Sequence, residues 1–252
     1  MVLCQTMASF SSYCPRPPSA LIKRCGFFAR FNKVEEVYKI AIGVKIIDFS
    51  YKKFMSKKTE LLEAIAGKNR GLLANEIDNV RVLSAIQQLE DSNPTPLPLE
   101  ATELLNGDWR LLYTTSKGIL GLDRFPLFKL GQIYQCIRVS EAKVYNIAEI
   151  VGLPMLEGIV SVAATFEPVS ERRVNVIFDR SIIGLQRFVG YNSPGKFIQQ
   201  LESGKKFLPL DFKIDRGDQT GWLDITYLDQ DMRISRGNEG NVFVLAKESS
   251  LP

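Results

Sequence analysis

From residue 107 onward the chain consists of short apolar runs in which hydrophobic and polar positions alternate. Trp109-Arg110-Leu111-Leu112-Tyr113-Thr114-Thr115 is the first of them, and runs at 132–139, 143–150, 159–166 and 174–178 follow. Three more stand at 222–228, 232–235 and 241–246. Val160, Val162, Ala164 and Phe166 recur at a spacing of two, as do Val174, Val176 and Phe178. That period places each set on a single face of a strand. Turn-forming groups separate the runs, among them Glu167-Pro168, Arg236-Gly237-Asn238 and Glu239-Gly240. About eight short strands without long helices between them predict an antiparallel β-sandwich or β-barrel. Residues 181–220 break the pattern. Phe197 to Leu201 allows a brief helix, and the remainder reads as a long loop, a feature usually tied to function.

Ahead of residue 107 the period is helical. Leu61, Leu62 and Ile65 give one apolar face to a helix within 56–73, capped by Ser56 or Thr59 and ended by Gly67 or Gly71. Asn75, with Asp78 three residues on, starts a second helix, whose apolar positions are Val82, Ile86 and Leu89. The stretch Ser92-Asn93-Pro94-Thr95-Pro96-Leu97-Pro98 stops it and predicts a hinge before the β region. The chain thus divides into a leader over 1–54, a helical front with a Pro-rich linker over 55–98, and a β domain over 99–252.

Charge sharpens this division. The net charge of +4 over 252 residues is unevenly spread. Residues 1–54 hold nine Lys and Arg against three acids, which leaves 23 against 25 in the rest. The leader therefore carries the basic surplus, and its first 33 residues contain no Asp or Glu at all. Arg16, Lys23, Arg24, Arg30 and Lys33 are interspersed with serines, the composition of an organellar transit peptide. The folded part has no surplus suited to polyphosphate, so nucleic acid is not an expected partner.

The chain contains no histidine. This removes the usual general base near neutral pH, imidazole triads and most zinc or haem ligation. Of four cysteines only Cys136 lies behind the leader, where it reads as a small packing residue. No metal site, cofactor or catalytic residue is expected. Asp229 and Asp231 read as solvated carboxylates in a turn. At the start of the first strand, Gly107 permits a tight turn and Trp109 supplies a large ring for a barrel floor. Arg233 and Arg236, beside Gly237 in the last turn, are placed to cover such a ring by cation–π contact.

Several segments, in order, resemble the plastid lipid-associated protein family, the fibrillins of plastoglobules and thylakoids. They are Gly67-Lys68-Asn69-Arg70-Gly71-Leu72, Asn93-Pro94-Thr95-Pro96, Leu105 to Thr115, Leu130 to Gln135, Ile225 to Asp229 and Met232 to Leu245. The likeness spans roughly 57–247, and no shared motif is recognised between 181 and 220. The resemblance implies a mostly β fold, a lipocalin-like antiparallel barrel preceded by short N-terminal helices. It also implies plastid import, association with plastoglobules or thylakoids, and apolar ligands such as carotenoids, quinones or other isoprenoid lipids.

The expected function is accordingly non-enzymatic: binding or coating apolar molecules at a membrane or lipid-body surface. Tyr113, Tyr134, Phe166, Phe178 and Trp222 are the residues expected to line the cavity. The 181–220 stretch, with Arg187, Lys196, Lys205 and Lys206 beside Ile182, Ile183, Leu185, Phe188, Phe197 and Phe207, is a candidate lipid-docking surface. A second reading makes the protein a scaffold that holds an enzyme of isoprenoid or lipid metabolism. A third makes it an enzyme on a lipocalin-like barrel, acting on an apolar substrate without histidine or metal.

Overall fold

The computed structural model describes residues 57–121, 129–152, 154–207, 210–214 and 220–248. The expected leader over 1–54 lies outside the described residues. Eight strands close into an antiparallel barrel: β1 (Gly107–Thr114), β2 (Lys129–Arg138), β3 (Lys143–Val151), β4 (Gly158–Pro168), β5 (Arg173–Leu185), β7 (Thr220–Leu228), β8 (Met232–Gly237) and β9 (Val242–Lys247). The ring runs in chain order and closes where β9 pairs with β1. A ninth strand, β6 (Leu210–Lys213), is added beside the ring. Strand β5 serves two partners. Arg173 to Ile177 pairs with β7, and Arg180 to Ile183 pairs with β6.

Helix α1 covers 57–65 and helix α2 covers Glu76–Glu90. Asn75 caps α2 with a reciprocal box: the Asp78 amide donates to Asn75 Oδ1 at 2.9 Å, and the Asn75 amide donates to Asp78 Oδ2 at 3.1 Å. Both helices lie on the outer barrel wall. Leu61, Ile65, Val82, Ile86 and Leu89 share one buried cluster with Tyr113, Tyr227, Ile234 and Val244. The link from helix to barrel is a close approach of backbone. Gly71 sits at φ +108°, and a Cβ there would lie 2.4 Å from the Thr114 carbonyl oxygen, so only glycine fits.

The Pro-rich segment, expected as a hinge, is laced to the barrel. Asn93 Oδ1 accepts from the Leu228 amide at 3.1 Å, and the Thr95 hydroxyl donates to the Leu228 carbonyl at 2.7 Å. Of the two carboxylates expected to be solvated, Asp231 is 72% exposed, and Asp229 differs. The Asp229 side chain is only 12% exposed and pairs with Lys58 of α1 at 2.7 Å. Tyr227 donates its hydroxyl to Asp229, so α1 is pinned to the β7–β8 turn.

Residues 181–220, expected as a loop, are largely structured among the described residues. They hold the end of β5, then α5 (Gln186–Val189), α6 (Pro194–Glu202) and β6. Ser193 caps α6 and Pro194 opens it, and Phe197, Ile198 and Leu201 face inward. These side chains pack with Phe207 and Tyr191 against Tyr145, Ile147, Ile159 and Ile182 on the outer wall. A second helical patch thus covers the barrel, and the expected docking residues Ile182, Phe197 and Phe207 are buried in it.

Candidate ligand-binding site

Every second residue of a barrel strand points inward, and here those residues leave space between them. A cavity of about 610 Å³ is walled by all eight barrel strands, within the usual range for small-molecule sites. Leu111, Ile133, Ile137, Val144, Ala148, Val160, Val162, Val176 and Leu245 make most of its wall. The polar exceptions are few: Tyr134, Gln135, Asn146, Arg233, Asn238 and Asn241. Among the described residues, no carboxylate, thiol or lysine lies in the wall, and no cluster suited to holding a metal ion is present.

Trp109 lies at the start of β1, fully buried, with its indole N–H donated to the Leu105 carbonyl at 2.9 Å. Leu105 ends α3 (Thr102–Leu105), the short helix that leads into the barrel. Gly107, between them, adopts φ +129°, which allows the chain to turn sharply from α3 into β1. The Arg233 guanidinium lies 4.9 Å from the Trp109 ring centroid, and the Lys247 ammonium lies 5.3 Å from it. Burial pushes Arg233 down to about 9, which still leaves it charged at neutral pH. Burial, then the charge of Arg233, lowers Lys247 as well. Arg233 donates to Gln135 Oε1, and Gln135 Nε2 donates to Asn146 Oδ1 at 2.9 Å. A polar chain therefore crosses from β8 through β2 to β3 above the tryptophan.

These features meet in the comparison with known proteins. The PAP_fibrillin family model matches residues 55–246, nearly the whole described region. The chain belongs to the PAP_fibrillin family. A relative called light-induced protein, chloroplastic, from Solanum tuberosum is 35% identical over 220 residues, covering 77% of this chain and 67% of the relative. The chromoplast-specific carotenoid-associated protein of Cucumis sativus is 34% identical over 219 residues, covering 77% of this chain and 68% of the relative. The plastid-lipid-associated protein, chloroplastic, of Citrus unshiu is 34% identical over 220 residues, again covering 77% and 68%. The relatives are chloroplastic and chromoplastic, and this PAP_fibrillin member is a plastid protein.

Within the PAP_fibrillin barrel, Phe166 and Phe178 line the cavity, Tyr134 and Trp222 border it with side chains on the outer face, where Arg173 lies 4.3 Å from the Trp222 ring, and Tyr113 is remote from it. Tyr113 shares the spacing of Trp109 and Leu111, but the register with β9 shifts between Leu111 and Tyr113. This bulge turns Tyr113 to the outer wall, where its hydroxyl donates to Asn79 of α2. Arg236 is also corrected. It alternates with Arg233 along β8, so it points outward and grips Glu90 of α2 at 2.8 and 2.7 Å, and Arg233 alone of the two covers Trp109. Gly237 lies in the cavity wall, where a Cβ would come within 3.2 Å of the Phe243 ring. Sequence reasoning missed the polar chain of Gln135 and Asn146. The only available signal was Val144-x-Asn146-x-Ala148, one polar residue on an otherwise apolar inward face.

One exposed surface adjoins the cavity. Beyond Phe178 the inward face of β4 and β5 continues through Val160 and Val162 to Ile183, which stands opposite Leu210 of β6. Ile183, Leu210 and Phe212 are 39%, 51% and 48% exposed. Met155 and Leu156 are exposed between β3 and β4, and Arg187 and Phe188 are exposed on α5.

Proposed function

We propose that this protein is a non-enzymatic lipid-associated protein that binds or coats apolar molecules, namely carotenoids, quinones or other isoprenoid lipids, at plastoglobules or thylakoids. The observation that carries this reading is the apolar barrel cavity, large enough for a small ligand and, among the described residues, free of carboxylate or thiol groups in its wall. The names of the carotenoid-associated and plastid-lipid-associated relatives support the same cargo. Phe166 and Phe178 would contact the ligand, with Tyr134 and Trp222 at the edge of the wall. The exposed Ile183, Leu210 and Phe212, with Arg187 and Phe188 nearby, would rest on anionic lipid through combined apolar and charge terms.

Titration of the protein with a carotenoid or a long-chain quinone tests the reading. Trp109 lies under the cavity-lining Arg233 and Trp222 borders the wall, so bound cargo quenches tryptophan fluorescence saturably. In parallel, Leu210→Glu with Phe212→Glu weakens flotation with liposomes that contain an anionic lipid. Absence of both quenching and flotation in the unaltered protein rejects the reading.

A second reading, a scaffold for a plastid biosynthetic enzyme, draws on one observation. Leu73, Ile77 and Val80 form an exposed apolar strip at the start of α2, 67%, 80% and 70% exposed. Ile77→Glu with Val80→Glu would then release a partner enzyme while leaving ligand uptake intact.

A further inference from the structure

Apolar cargo alone gives the polar floor of the cavity nothing to bind, yet that floor holds an unbalanced charge. Arg233 and Ser235 lie two residues apart on β8, opposite Leu245 and Phe243 of β9; Arg233 lines the cavity, and Ser235 shares its inward face of the strand. Both are fully buried. Arg233 spends one N–H on Gln135, while its Nε and Nη1 and the Ser235 hydroxyl have no hydrogen-bond partner among the described residues. Buried polar atoms normally find partners, and three orphans on one inward face are unusual.

The charge is equally exposed to question. Arg110, Arg138, Arg173, Arg180 and Arg236 each pair with a carboxylate: Glu248, Asp108, Asp224, Asp211 and Glu90. Arg233, the buried arginine, is paired with none among the described residues. The other charge on the Trp109 ring is Lys247, a second cation. A cover for Trp109 needs the charge and flat face of a guanidinium, but it does not need free donors turned to the interior. Burying an unpaired cation is costly unless an anion completes it.

We infer that the cavity takes an amphiphile, a long apolar chain ending in a carboxylate, with the carboxylate seated against Arg233, Gln135 and Ser235 on the floor. This rests on the cavity being a ligand site, as proposed above. The Gln135–Asn146 bond holds the Gln135 carbonyl oxygen toward Arg233 and keeps the guanidinium in place before the ligand arrives. A planar carboxylate matches the guanidinium fork, and water is excluded from the pair by the surrounding apolar wall. The chain then lies along Leu111, Val144 and Val160 toward Trp222.

The experiment compares parinaric acid, a fluorescent polyene fatty acid, with its methyl ester on the full chain. The two share a tail and differ only in the charge of the head. The acid is expected to bind about 10- to 100-fold more tightly, the range of a charge-assisted hydrogen bond. Arg233→Met should erase that difference while ester binding persists, and Arg233→Lys should retain part of it. Equal binding of acid and ester by the unaltered protein overturns the inference and leaves the cavity reading standing. Binding of neither rejects both.

Discussion

Trp109→Ala tests the floor of the barrel most directly. The indole is fully buried between Leu105, Arg233 and Lys247, and its N–H is spent on the Leu105 carbonyl. An indole that buries roughly 200 Å² contributes about 5 kcal/mol at ~25 cal/mol per Å². Loss of a desolvated cation–π contact adds up to about 2 kcal/mol, and relaxation of neighbouring side chains offsets part of the total. Measured truncations of this kind cost about 3–5 kcal/mol, so the upper half of that range is expected here. For a domain of this size that lowers the melting temperature by about 10–15 °C. Trp109→Phe keeps a ring under Arg233 and loses only the N–H and some area, so it should cost about 1–2 kcal/mol. Urea unfolding followed by circular dichroism reads both values, since near-ultraviolet signals change with the tryptophan itself. If Trp109→Ala unfolds within about 1 kcal/mol of the parent and loses only ligand uptake, the ring belongs to the pocket and the floor assignment is wrong.

Three further outcomes are expected. Lys58→Met leaves the nearly buried Asp229 without its ammonium partner, and urea unfolding should show a loss of about 2–3 kcal/mol. Acid should destabilise the fold: the Arg180 bond holds Asp211, and the Lys68 and Asn75 bonds hold Asp78, below the usual carboxylate range. Both groups bind fewer protons folded than unfolded, so their stability is full above about pH 4 and is lost as pH falls through the folded values. Urea midpoints at pH 6 and pH 3 measure this, and a higher midpoint at pH 3 refutes it. Val176→Phe fills part of the cavity, and should abolish saturable tryptophan quenching by a carotenoid while changing stability by less than about 1.5 kcal/mol. Unchanged quenching would place the ligand elsewhere.

The alternating pattern in the sequence located the barrel strands well, because one face of each is buried. Asn75 and Asp78 announced the α2 cap for the same local reason: both partners of the box lie within four residues. The failures come from register. At Leu112 a bulge reverses the side-chain direction, and Tyr113 crosses from the inner wall to the outer. A second bulge, where Ala163 and Ala164 oppose Arg180 and Phe178, skips Asp179 and breaks the alternation of Val174, Val176 and Phe178. That interruption made Ser181 to Leu185 read as loop when it continues β5. Asp229 looked solvated because its partner Lys58 is far away in sequence, and the same distance hid Glu90 from Arg236.

The extension of β5 by β6 bears on how cargo would be delivered. The inner face of this extension joins the cavity wall to the exposed Ile183, Leu210 and Phe212, with the small, buried Ser181 as the polar residue on the way. A chain that slides along this ramp into an adjacent lipid layer is never fully hydrated, so its transfer avoids the slow aqueous step. Exchange would then be collisional: the rate of cargo transfer to acceptor vesicles rises with vesicle concentration and slows when Leu210 and Phe212 carry charge. Release through water would instead give one rate, whatever the number of acceptors. The ninth strand, redundant for closing the barrel, would thus set the kinetic order of unloading.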